Sequence, residues 1–178
     1  MKNETLRLRG ELEAVVHRGN ELVARLDDER LMRRPAPASW SVAENVEHLS
    51  ATAATFARRI RRKLDASTVQ QTATHERPSI MGGIWRRLVE PPVRVKLKVP
   101  AAALQPGEIV SRDALLVRFD ETHGALLALL DESDSYDRMR VRISTPFARR
   151  ITVNLLDTFA VLAAHGRRHV WQAERAVR

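Results

Sequence analysis

The chain has 178 residues, enough for one domain with its own core, and its 44% hydrophobic and 29% charged residues are globular values that exclude a disordered or collagen-like chain. It has no cysteine, which excludes disulfides, iron–sulfur ligation and a thiol nucleophile of its own; no apolar run approaches the ~18 residues of a membrane-spanning helix, and the charged stretch from Met1 to Gly10 holds no signal-peptide core, so a cytoplasmic protein with no membrane partner is expected. The net charge of +8 and the pI near 11.0 invite a polyanion partner, yet all of the basic residues except Lys2, Lys63, Lys96 and Lys98 are arginines, a bias that a GC-rich genome imposes on any protein.

Four stretches carry the apolar period of an amphipathic helix. The first is expected over Asn3 to Asp28, with Leu8, Leu12, Val15, Gly19, Leu22 and Leu26 on one face. The second follows Pro35 and Pro37, which hold the incoming chain extended. Ser41 with Glu44 three residues on reads as a capping box, and Val42, Val46, Leu49, Ala53, Phe56, Ile60 and Leu64 form the stripe. Residues 66–110 differ in composition. They hold most of the prolines, a short helix over Ser79 to Glu90 ended by Pro91, and an alternating strip from Val93 to Val99 with no evident partner strand.

The third long helix is expected over Ser111 to Glu132, with Leu116, Phe119, His123, Leu126, Leu127 and Leu130 aligned. The fourth is expected over Thr152 to Ala176, with Thr152 as N-cap and Leu155, Phe159, Leu162, Val170, Ala173 and Val177 aligned. Four such helices with one long crossover between the second and third read as an all-α four-helix bundle, a single domain over 1–178 with an irregular insertion at about 67–110.

Bundles build sites from polar side chains beside the apolar stripes. His165 and His169 stand four apart, which stacks both imidazoles on one helix face with about 6 Å of rise between them. They project roughly 90° from the stripe centre, with Thr158 and Gln172 on the same border, whereas Arg168 projects well away. His48 lies roughly 120° from its own stripe centre, beside Asn45 and Thr52. Three such imidazoles fit three corners of a divalent-metal site with an open position. The competing reading is a set of half-exposed histidines bonded to carbonyls. His17 and His75 read as surface residues, and His123, inside its stripe, as a hydrogen-bonded core histidine.

The segment Pro37-Ala-Ser-Trp40-Ser41-Val-Ala-Glu44-Asn-Val-Glu-His48-Leu49, and Ile151-Thr152-Val-Asn-Leu155 followed by His165-x-x-x-His169-x-x-Gln172, resemble the two signature segments of the DinB/YfiT-like superfamily of metalloenzymes. The resemblance spans essentially the whole chain. It implies an up-up-down-down four-helix bundle, commonly a homodimer, in which His48, His165 and His169 hold a divalent metal ion such as Zn, Ni or Fe. Members often carry Asp after the first histidine of the pair; here Gly166 stands there, which removes a carboxylate able to orient a ligand.

The activity this resemblance implies is transfer of a low-molecular-weight thiol, activated at the metal, to a small-molecule substrate; metal-dependent hydrolysis is the alternative. Glu44 and Glu47 are the carboxylates nearest His48 in sequence, but both project to the polar side, and no general base stands out. A third class, a non-enzymatic nucleic-acid or anion-binding bundle, rests on Arg58-Arg59-Ile60-Arg61-Arg62-Lys63. Basic residues also suit a helix C-terminus, and no aromatic residues interleave with them, so nucleic acid is not the expected partner. Trp85, Trp171 and Ile84 have no obvious place in one bundle core, and Trp171 or the segment around Trp85 is expected near a dimer interface.

Overall fold

Helix starts are set by side chains that satisfy otherwise unpaired N–H groups of the first turn. In a computed structural model, which describes residues 2–68, 79–92, 104–144 and 152–177, the chain forms α1 (Lys2–Ala24), α2 (Asp28–Met32), α3 (Val42–Asp65), α4 (Ile80–Val89) and α5 (Arg112–Glu132). A 3-10 turn (Ser133–Ser135), β1 (Arg142–Ser144), β2 (Thr152–Asn154) and α6 (Leu155–Ala176) follow. Ser41 caps α3 as the sequence requires: its hydroxyl accepts from Glu44 N–H at 3.1 Å, and the Glu44 carboxylate accepts from Ser41 N–H at 2.8 Å. Ser79 and Ser111 cap α4 and α5 with the hydroxyl alone, accepting from Gly82 N–H and Ala114 N–H.

Two boundaries differ from expectation. The first helix ends at Ala24, because Asp27 accepts from Arg30 N–H at 2.8 Å and opens a separate short helix. Thr152 is not the cap of the last helix. It lies in β2, which pairs antiparallel with β1 in the register Arg142↔Asn154, Ile143↔Val153, Ser144↔Thr152. Asn154 caps α6, accepting from Asp157 N–H at 2.7 Å. The small ladder buries Ile143 and Val153 against the bundle and fixes where α6 begins. The strip from Val93 to Val99, His75 and the stretch around Pro146 lie outside the described residues.

The four long helices α1, α3, α5 and α6 form the bundle, and the long crossover between α3 and α5 sends α4 against α6. The expected α3 stripe is wholly buried. On α5 the buried face is Leu115, Phe119, His123, Leu126, Leu129 and Leu130, with Leu116 and Leu127 at its edge. The core falls into two apolar clusters along the bundle axis. One contains Leu12, Ala53, Leu126 and Phe159; the other contains Val15, Leu49, Phe119 and Val170. Thr52, His123 and His165 fall in sequence between the members of the two clusters on their own helices, so a polar layer crosses the bundle there. Each fully buried Leu or Phe contributes about 1.5–3 kcal/mol, which makes these clusters the main source of stability.

Two glycines permit close helix approach. A Cβ on Gly19 would stand 2.7 Å from the Phe119 ring, and one on Gly166 would stand 2.8 Å from Val15 Cγ1. Arg138 is fully buried; its Nη1 donates to Thr5 Oγ1 at 2.7 Å and faces Asp134 Oδ1 at 2.9 Å, tying α1 to the end of α5. Among the described residues no helix is long and apolar enough to cross a membrane.

Candidate metal centre

The polar residues beside the α3 and α6 stripes meet inside the bundle. His48, His165 and His169 are buried together, with one nitrogen of each within 4.8 Å of the others. His48 Nε2 lies 3.2 Å from His165 Nε2. Two imidazole nitrogens on one tetrahedral ion at about 2.0–2.1 Å stand about 3.3 Å apart, so this separation suits a shared cation as well as a shared proton. All three rings lie deeper than their border positions imply, because the pair on α6 faces His48 and Asn45 of α3 and the segment at Leu104 covers His48.

The outer nitrogens are held by the local fold. His48 Nδ1–H donates to the Leu104 carbonyl. His169 Nδ1–H donates to Asn45 Oδ1 at 3.0 Å, and Asn45 Nδ2 donates to the Ser41 carbonyl at 2.8 Å. The residue that caps α3 therefore also fixes the amide that orients His169. These bonds leave Nε2 of His48 and His169 as lone-pair donors, the arrangement that a ligand histidine needs. Burial holds all three imidazoles below their ordinary range, against the Leu104 carbonyl at His48. At His165 the neighbouring His48 and Arg168 add to the effect, and at His169 so do His165, His48 and Arg168. The rings are thus neutral near pH 7, which suits ligation. The donor set, three neutral imidazoles from two helices, fits a borderline divalent cation such as Zn, Ni or Fe.

Trp40, half-buried, packs on the cluster with ring centroids 4.8 Å from His48 and 5.7 Å from His169. Arg168 points to another face of α6 but not to solvent: α4 packs over that face, and the buried guanidinium donates to the Leu88 carbonyl at 3.2 Å. Burial lowers its pKa. Glu47 also departs from its expected polar face. It is buried where residues 104–107 and α5 cover α3, its carboxylate lies 3.2 Å from Arg118 Nη2, and burial raises its pKa against the pull of Arg118 and the Gly107 N–H. Glu44 remains at the α3 start, paired with Arg34.

Thr158 donates to the Asn154 carbonyl at 2.8 Å and serves the first turn of α6, while Gln172 Oε1 and Thr52 Oγ1 are buried with no partner among the described residues. His123 is a core residue, as its stripe position requires, donating from Nδ1 to the Phe119 carbonyl at 2.9 Å. His17 is exposed on α1 beside Glu21. The basic run on α3 does not form one surface: Arg59 donates to the Ser144 carbonyl, while Arg61 pairs with Glu132 and Asp65. The Leu104 carbonyl, distant in sequence from His48, carries no sequence signal; the Trp40 contact is foreshadowed only by the Trp-Ser pair at the α3 cap.

A comparison with curated proteins gives no match. Among solved structures, the fold is similar to that of YfiT from Bacillus subtilis, described as "a probable metal-dependent hydrolase with an unusual four-helix bundle topology". The likeness has a TM-score of 0.64 at 18% identity and covers 99% of this chain and 87% of that one. The profile of the DinB superfamily matches residues 11–173, which takes in both histidine-bearing helices and the capped start of α3. With the two signature segments on the helices that carry the buried histidines, the chain belongs to the DinB superfamily.

Proposed function

We propose that the protein is a metal-dependent enzyme in which His48, His165 and His169 hold a divalent cation, and that it transfers a low-molecular-weight thiol to a small electrophilic substrate. When bound, the cation supplies positive charge that stabilises a thiolate or hydroxide at neutral pH. The observation that carries the choice of thiol is the company the histidines keep. Among the described residues their polar partners are the Leu104 carbonyl, Asn45 and one another, with no carboxylate. The buried carboxylates Glu47, Asp137 and Asp157 are each engaged elsewhere, with Arg118, with the N–H groups of Met139 and Arg140, and with Ser79 and Asn154. A thiol ionises near pKa 8.5 and needs no strong base, whereas water starts at about 15.7 and does.

The chain's own residues then have distinct parts. Asn45 and the Leu104 carbonyl orient two imidazoles, Trp40 keeps water from one side of the cluster, and Arg168 adds positive charge that favours an anionic nucleophile. Hydrolysis is the second reading, favoured by Glu47, a buried carboxyl of raised pKa one residue from His48, which is the property a general base needs.

The test uses protein purified without a nickel column and then loaded with Zn, Ni or Fe. Consumption of a small thiol and an electrophile is expected from the loaded protein and not from His165→Ala. Equal turnover by metal-free protein, or ester hydrolysis indifferent to thiol and abolished by Glu47→Gln, overturns the thiol reading. The protein acts as a homodimer through the outer face of α4, where Ile80 is 87% and Ile84 49% exposed; twice the 20.2 kDa chain mass is expected by light scattering.

A further inference from the structure

A cavity lies in the polar layer between the two apolar clusters, where all four long helices converge. Leu12 and Val15 of α1, Thr52 of α3, His123 of α5, and His165 and Gly166 of α6 line it. Its polar members share one property. Thr52 Oγ1 is buried without a hydrogen-bond partner among the described residues. His123 uses Nδ1–H on the Phe119 carbonyl, so its Nε2 is a lone-pair acceptor, and no described residue donates to it. His165 uses Nε2 toward His48, and its Nδ1 has no partner among the described residues either. The other two histidines of the cluster each have theirs, in Leu104 and Asn45.

A buried hydroxyl without a partner, beside two imidazole nitrogens that no described residue engages, is costly in an apolar bundle unless something joins them. The cavity has a volume of about 10 Å³, at the threshold of about 10–15 Å³ for one water. Buried waters make about three hydrogen bonds, the number of groups offered here. The donors and acceptors also match. A water donates to His123 Nε2 and exchanges a bond of either sense with the Thr52 hydroxyl. When His165 Nε2 faces a cation, the water accepts from His165 Nδ1–H.

We propose that this cavity is a binding site for one ordered water that joins His165 Nδ1, His123 Nε2 and Thr52 Oγ1, making Thr52 and His123 positioning residues for His165. The water site stands on the cavity and its polar lining; its effect on a bound cation rests on the reading of His165 as a ligand. It gives His165 the outer partner that Asn45 gives His169 and Leu104 gives His48.

The test has two arms. In crystals of the metal-free protein, one water within hydrogen-bond distance of all three atoms is expected, and a dry cavity overturns the proposal. In solution, Co²⁺ titration followed by visible absorption is expected to show Thr52→Val binding about 10-fold more weakly than wild type with shifted bands, and Thr52→Ser restoring both. Thr52→Val within twofold of wild type, with an unchanged spectrum, overturns the positioning role. If wild type itself binds no Co²⁺, the metal reading fails, and the crystallographic water alone decides whether the site exists. Should Thr52→Val not fold, Thr52→Ala takes its place in the Co²⁺ titration, and the wild-type crystals still decide the water site.

Discussion

At the scale of single residues, burial decides the chemistry of the histidines. His123 is held down to about 4 because its charged form is buried, against the favourable pull of the Phe119 carbonyl and Asp120. Unfolded, the same group titrates near 6.5. The unfolded chain therefore takes up a proton first as pH falls, so the neutral core histidine costs nothing above pH 6.5, and stability is lost between there and about 4. His123→Leu removes this dependence. In urea melts at pH 7 and pH 4 the Leu variant is expected to gain about 3 kcal/mol on wild type over that interval, and an unchanged gap refutes the assignment. Gly166 is a second case. Read in the sequence it is a missing carboxylate; in the fold, Val15 fills the space a side chain would take. Gly166→Ala is expected to destabilise by about 1 kcal/mol net, since overpacking costs about 1–3 kcal/mol and exceeds the helix gain of about 0.5–1 kcal/mol. In a Val15→Ala background the same change should become neutral or stabilising, a coupling that urea denaturation measures.

Among the elements, α4 packs along α6 with Val89 buried, and polar bonds pin both of its ends. The Asp157 carboxylate accepts from the Ser79 N–H at 3.2 Å and from its hydroxyl at 2.5 Å, and Gly82 packs directly on it. Arg167 reaches Glu90 at 2.6 Å and Glu11 at 2.7 Å, joining α4, α6 and α1. Asp157→Ala is expected to speed amide exchange across α4 far more than across α3 and α5, with a loss of about 1–3 kcal/mol from unpaired buried groups; uniform protection would show that α4 docks by other means. The long helices were legible because apolar period and caps agree, as at Ser41 with Val42, Val46 and Leu49. The β1–β2 ladder was not, since three-residue strands carry too little alternation to register. Nor was the cover that α4 gives α6, because a helical projection shows one helix's own stripe and nothing of what a long crossover lays over its other side. That cover is what buries Arg168.

For the molecule as a whole, the three histidines join the two halves of the fold: His48 comes from α3, early in the chain, and His165 and His169 from α6 at its end. Their assembly was legible as a possibility from the spacing of the pair and the edge position of His48, and as an expectation from the two signature segments. The outer bonds to Leu104 and Asn45 depend on tertiary contacts no local pattern records. Such a site exists only in the folded chain, so a cation bound there stabilises the fold by mass action. At about 100 times its dissociation constant, a single ion contributes about 2.7 kcal/mol. For a chain of this length each kcal/mol moves the midpoint by about 2–4 °C, so protein stripped with a chelator and refilled with Zn²⁺ is expected to melt about 5–10 °C higher. His48→Ala and His165→Ala should lose the response alike, because each removes one of three donors, whereas His17→Ala on the exposed face of α1 should keep it in full. Calorimetry with and without the ion checks this. A midpoint indifferent to Zn²⁺, Ni²⁺ and Fe²⁺ in wild type, or an equal rise in the His165→Ala protein, would show that the cluster is held by its shared protons and hydrogen bonds and binds no metal.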